Sequence, residues 1–95
     1  MFARITPFRM KPDALDKARE MVRGLESEIM GMPGMIHFTC CMDDTGQGYI
    51  VALVESEERS NANMPKVKEI WAKFFEMLET PPEPRGYPVV AHWDG

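Results

Sequence analysis

The chain has 95 residues, with eleven Lys and Arg against fifteen Asp and Glu, a net charge of −4, 44% hydrophobic and 27% charged residues. Those values are ordinary for a globular protein and leave room for one domain spanning 1–95. An acidic surface argues against a nucleic-acid or anionic-membrane partner, and no apolar run approaches the roughly 18 residues of a membrane span. The opening Met1-Phe2-Ala3-Arg4-Ile5 has no apolar h-region or cleavage site, so a cytoplasmic location is expected.

Residues 1–9 are short and rich in β-formers, and they read as a first strand in which Pro7 removes a ladder donor. Pro12 suits the first turn of a helix, where Asp13 and Asp16 meet the positive end of the dipole. Leu15, Ala18, Val22, Leu25 and Ile29 then recur at three-four spacing, which predicts one helix over 12–30, stopped by Gly31 and Pro33-Gly34. Residues 35–42 predict a second strand. Asp43 to Gly48 predict a hairpin connection, with glycines available for positive φ.

The run Tyr49-Ile50-Val51-Ala52-Leu53-Val54 is apolar at every position, which predicts a third strand, over 49–55, buried on both faces. Ser56 can cap a short turn at Glu57-Glu58-Arg59, after which Pro65 fits the start of a further helix better than the middle of one. Met64, Val67, Trp71, Phe74 and Leu78 give that helix its apolar stripe. The Pro-rich 80–86 segment predicts an extended connector, and residues 87–93 a fourth strand. Cys40 and Cys41 are adjacent on a strand, so their side chains point to opposite faces and a mutual disulfide is geometrically poor. They read as two small buried hydrophobes in a reducing compartment.

The element order is βα-ββ-αβ: an α+β, ferredoxin-like βαββαβ fold with a four-stranded antiparallel sheet in the order 4-1-3-2. Both helices then cover the same face. About six apolar side chains would be left on the other, forgoing roughly 9–18 kcal/mol of gross burial at ~1.5–3 kcal/mol each. That rivals the whole net stability of a domain, about 5–15 kcal/mol. A homodimer formed through the sheet face is the expected solution.

The strand Met1-Phe2-Ala3-Arg4, then Lys11-Pro12-Asp13-Ala14-Leu15-Asp16, Met32-Pro33-Gly34-Met35, Gly46-Gln47-Gly48-Tyr49 and Leu53-Val54-Glu55-Ser56-Glu57-Glu58 together form a pattern. It resembles the antibiotic biosynthesis monooxygenase-like family of dimeric α/β barrels, over residues 1–60 in motif and over the remainder in element order. Met35 stands where an aromatic often follows Pro-Gly, and Val54 where Trp is common. The resemblance implies a monooxygenase that needs no metal or flavin cofactor and acts on a small aromatic or quinol-like molecule. Alternatives are a non-catalytic small-molecule-binding or structural homodimer, or an isomerase using the same pocket. Haem-degrading relatives use an Asn on the first strand and a Trp and a His on the later helices; of these only Trp71 is matched here.

Two histidines are candidate general bases, His37 in the second strand and His92 in the fourth, because an unperturbed imidazole titrates near neutrality. Their placement offers no HxH or HxxxH spacing for a metal. Trp71 and Phe74 are candidates to grip an aromatic ring, and Arg4 to hold an anionic oxygen.

Overall fold

The computed structural model describes residues 1–95. In chain order it has strand β1 (Phe2–Arg9), a 3-10 turn (Pro12–Ala14), helices α1 (Leu15–Arg23) and α2 (Glu26–Met30), and strands β2 (Met35–Met42) and β3 (Gln47–Val54). Helix α3 (Glu57–Ala72), a second 3-10 turn (Phe75–Met77) and strand β4 (Arg85–Pro88) complete it. The four strands form one sheet in the order β2-β3-β1-β4, every neighbouring pair antiparallel. This is the expected ferredoxin-like α+β arrangement. No helix is long and apolar enough to cross a membrane.

Register decides which side chains meet the helices. On β1 the even positions do so: Phe8 and Met10 join Ala18, Leu25, Ile29, Ile70, Phe74 and Met77 in the main apolar cluster. Opposite them, Val54, Ala52, Ile50 and Gly48 of β3 pair with Phe2, Arg4, Thr6 and Phe8 and face the same way. Odd positions form the outer face: Ala3, Ile5 and Pro7 of β1, with Leu53, Val51 and Tyr49 of β3. Pro7 is tolerated because β4 pairs only with Phe2 to Ile5. Two residues on, the Arg9 carbonyl accepts from the Glu79 amide, so odd positions turn their backbone toward that edge. The missing Pro7 donor therefore falls in the gap between β4 and residue 79.

Four expectations need correcting. The helix expected over 12–30 is segmented, with a 3-10 first turn and a break at Gly24-Leu25, yet the stripe survives because Gly24 keeps right-handed helical torsions and Leu25 stays buried. The two separate helical pieces expected around Pro65 are one helix. Ser56 caps it, its Oγ accepting from the Arg59 amide at 3.1 Å, and Pro65 lies inside. Proline there frees the Asn61 carbonyl, and both residues are exposed, so water satisfies it.

The fourth strand is Arg85–Pro88 rather than 87–93. Pro88 pairs with Phe2, and one further bond runs from the Val89 amide to the Met1 carbonyl at 3.1 Å. Beyond it the ladder ends. The tail instead crosses the outer face, and its His92 ring lies 5.5 Å from that of His37 in β2, the opposite edge strand. Three interstrand steps of about 4.8 Å are the reach of roughly four extended residues. Beneath this path Ala3 and Leu53 are buried, whereas Val90 and Trp93 of the tail stand in solvent.

The fourth correction concerns β2, which has the expected bounds but whose two cysteines are not both buried: Cys40 is half-buried on the inner face, and Cys41, paired with Tyr49 on the outer face, is exposed. An irregularity between Met35 and His37 shifts the register, so Met35 and Phe38 both line the space between sheet and helices, while Ile36 and His37 lie at the β2 edge, in a separate shallow hollow with Val22, Glu26 and Met30. His37 pairs with Leu53 on the outer face. Neither histidine therefore joins Trp71 and Phe74.

Candidate functional site

Between the sheet and the helices lies a cleft of about 430 Å³, within the range of small-molecule sites. Its floor is the even face of the sheet, with Phe8, Phe38, Cys40, Ile50 and Ala52. Its roof is Ala18, Val22, Leu25 and Ile29 from α1 and α2, with Val67, Ile70 and Trp71 from α3. Met32 and Met35 close one end, where unbranched side chains fit an irregular rim. The Trp71 ring stands 5.9 Å from Phe8 and 6.1 Å from Phe74, edge-on to the latter, so three aromatic rings make one wall. Glu28 of α2 ties this roof together, accepting from Lys66 Nζ at 2.6 Å and Lys73 Nζ at 3.0 Å. The hydrogen bond from Lys66, then that from Lys73, holds its carboxyl below the ordinary value.

Besides Arg19 and Arg23 of α1, a polar stretch of the lining joins β1 to α3. Arg4, in the middle of β1, reaches α3 and donates through Nε and Nη2 to Ser60 Oγ at 3.1 and 2.8 Å, and through Nη2 to Asn61 Oδ1 at 3.1 Å. Its guanidinium carbon sits 5.3 Å from the Phe2 ring centroid. Glu55, just beyond β3, lies 3.9 Å from Arg59 Nε. Asn63, one turn beyond Ser60, is buried and donates through Nδ2 to the Pro33 carbonyl at 2.9 Å. Burial, with the neighbouring Cys41 adding to it, pushes the Cys40 thiol up to about 11, so at neutral pH it is an uncharged wall group rather than a nucleophile.

Of the five site residues expected from the sequence, Arg4, Trp71 and Phe74 line this cleft and His37 and His92 do not. His37 Nε2 is 2.6 Å from Thr39 Oγ1, and His92 Nε2 lies 3.2 Å from Asp94 Oδ1. The cleft is lined by no histidine, carboxylate, lysine or tyrosine. Among the lining residues that escaped the sequence reading are Ser60 and Asn63. They stand at three-four spacing with Val67, Ile70 and Phe74, so a helix begun at Ser56 would have placed them on the inward stripe.

No protein-family model matches the sequence, and the comparison with curated proteins gives no match. Solved structures do share the fold. A monooxygenase from the gene ActVA-Orf6 of Streptomyces coelicolor, in complex with nanaomycin D, superposes with a TM-score of 0.75 and is 22% identical, over 99% of this chain and 92% of that one. A structure named antibiotic biosynthesis monooxygenase gives 0.78 at 14% identity, over 96% and 100%. Rv0793 from Mycobacterium tuberculosis gives 0.77 at 17% identity, over 98% of each chain. The likeness to antibiotic biosynthesis monooxygenases read in the sequence therefore holds at the level of the fold. At these identities it is the fold that is shared.

Proposed function

We propose that this chain is a cofactor-independent monooxygenase that takes a small aromatic or quinol-like molecule into the cleft, and that it works as a homodimer. The observation that carries the reading is the apolar cleft walled by Phe8, Trp71 and Phe74, in a fold shared with a monooxygenase that was solved with a ligand bound. Dioxygen reacts with an electron-rich phenolate or carbanion. In the balanced reaction a phenol becomes a quinone: one oxygen atom ends on the ring carbon, the other leaves as water with the hydrogens lost from that carbon and from the phenol O–H, and the substrate supplies all four electrons. The chain's part is to bind the ring, orient it and exclude bulk water from the ionised form. Support for the dimer comes from the outer face, where Ile5 and Val51 are half-buried and Tyr49, Tyr87, Val90 and Trp93 are exposed.

A second reading, a non-catalytic binding protein, is favoured by one feature: no histidine or carboxylate borders the cleft to act as general base. An isomerase needs such a base and loses support for the same reason. Oxygen uptake and product analysis with a panel of naphthols and hydroquinones separate the two. Uptake with quinone formation that Trp71→Ala weakens supports the oxygenase. Tight binding of the same panel with no oxygen consumed refutes it in favour of the binder.

A further inference from the structure

We infer that Arg4 is the anion-recognition group of the cleft, so that a ligand there is bound through an ionised oxygen, a phenolate, enolate or carboxylate, on an otherwise apolar skeleton. The inference rests on the cleft being a binding site, as proposed above.

The chain has six arginines. Four are neutralised by carboxylates: Arg9 by Glu79, Arg19 by Asp16 and Asp44, Arg59 by Glu55, and Arg85 by Glu83. Arg23 has no such partner and is exposed. Arg4 alone is half-buried and has no carboxylate within ion-pair distance; its partners Ser60 and Asn61 are neutral. Buried charges are ordinarily paired, because neutral dipoles replace only part of the lost hydration. Arg4 is thus oriented and uncompensated.

The surroundings suit an anion. Arg4 and Arg23, which have no carboxylate partner, line the cleft with the paired Arg19, and no acidic residue does, although the whole chain carries −4. A cationic lining with apolar walls concentrates the field inside the cavity. Nη1 makes no hydrogen bond within the chain, and no buried polar side-chain atom lacks a partner, so Nη1 retains accessible surface. Gly86 of β4 keeps that space open, since a Cβ there would press on the Phe2 ring and come within 3.0 Å of Nη1. The hydroxyl of Ser60 and the Oδ1 of Asn63 make no other side-chain hydrogen bonds, leaving polar capacity beside the cation. A fixed positive charge also favours the ionised form of a bound phenol, which gives a route to the phenolate in a cleft with no base.

The test uses Trp93→Phe protein, in which Trp71 is the only tryptophan and its fluorescence reports the cleft. Two probes of similar size are titrated at pH 7: 2-naphthoate, an anion, and 2-naphthamide, which is neutral. The expected result is at least tenfold tighter binding of the naphthoate, a preference lost in Arg4→Met and partly kept in Arg4→Lys. A chromophoric phenol such as 4-nitro-1-naphthol, followed by its absorbance, ionises about one pH unit lower when bound, the same tenfold preference expressed as proton affinity. Equal affinity of the two naphthalenes for the unsubstituted Arg4 protein overturns the inference and leaves the cleft as a site. Failure of both to bind removes the site and the inference together. The comparison of the two probes needs no Arg4 variant, so it holds even if Arg4→Met unfolds.

Discussion

Filling the cleft from its floor should stabilise the protein and abolish binding. Ala52 is the place to do it: it sits in the centre of β3, faces the helices, and lines the cleft between Arg4 and Phe38. Ala52→Leu adds three carbons. At ~0.8 kcal/mol for each buried methylene they contribute about 2.4 kcal/mol if fully enclosed, and about half that in a cleft open on one side. For a domain of this size 1 kcal/mol corresponds to about 4–8 °C in melting temperature. A rise of roughly 5–10 °C is expected by circular dichroism, together with loss of 2-naphthoate binding by Trp71 fluorescence. Gain of stability with loss of function is the usual signature of space kept open for a ligand. A fall of several degrees would mean that the leucine is overpacked, which costs about 1–3 kcal/mol, and that the cleft is already filled by its own side chains. Unchanged naphthoate affinity in a stabilised variant would place the ligand elsewhere.

Gly48→Ala should be destabilising by about 1–3 kcal/mol, because the new Cβ meets the Cys41 carbonyl and the Phe8 ring; a urea midpoint within error of the parent would refute that packing. Gly46→Ala at φ 94°, pressed against the Met10 carbonyl, should behave the same way for a backbone reason. Acid should weaken the fold in two places. The Asp43 carboxyl is held below its ordinary value of 3.8, chiefly by the Thr45 hydroxyl at 2.6 Å, and Glu28 is held below 4.5 by Lys66 and Lys73. A depressed folded value means the stabilisation is complete above the unfolded values and is lost as pH falls through the folded ones. Urea midpoints measured from pH 7 to pH 2 should therefore drop below about pH 4, and less steeply in Asp43→Asn. Val51→Glu, on the outer face, should convert a dimer to a monomer in sedimentation at micromolar concentration; an unaltered species would refute dimerisation through that face.

What was legible in the sequence was whatever depended on periodicity. The three-four stripe of Leu15 to Ile29 located the inward helix face, and the apolar run at 49–54 marked the central strand. What stayed hidden depended on pairing partners and register. Val89 to Trp93 read as strand because their composition suits one, but a strand needs a partner, and the ladder with β1 ends at Pro88 opposite Phe2. The irregularity after Met35 is a register event with no sequence mark of its own, and it decides that His37 turns away from Trp71. Ser60 and Asn63 were hidden for the opposite reason: a search for apolar residues passes over polar ones on the buried stripe. Arg4 was legible because a cation among β-formers on a central strand has few places to go.

The side chains that wall the cleft are also those that hold the fold together, since Phe8, Leu25, Ile29, Ile70 and Phe74 belong to both. Occupancy and unfolding must then draw on one equilibrium. A compound present at a hundred times its dissociation constant adds about 2.7 kcal/mol to the folded state, enough to move a thermal transition visibly. An unbiased library read by dye-reported melting can thus search for the natural metabolite before anyone guesses its chemistry.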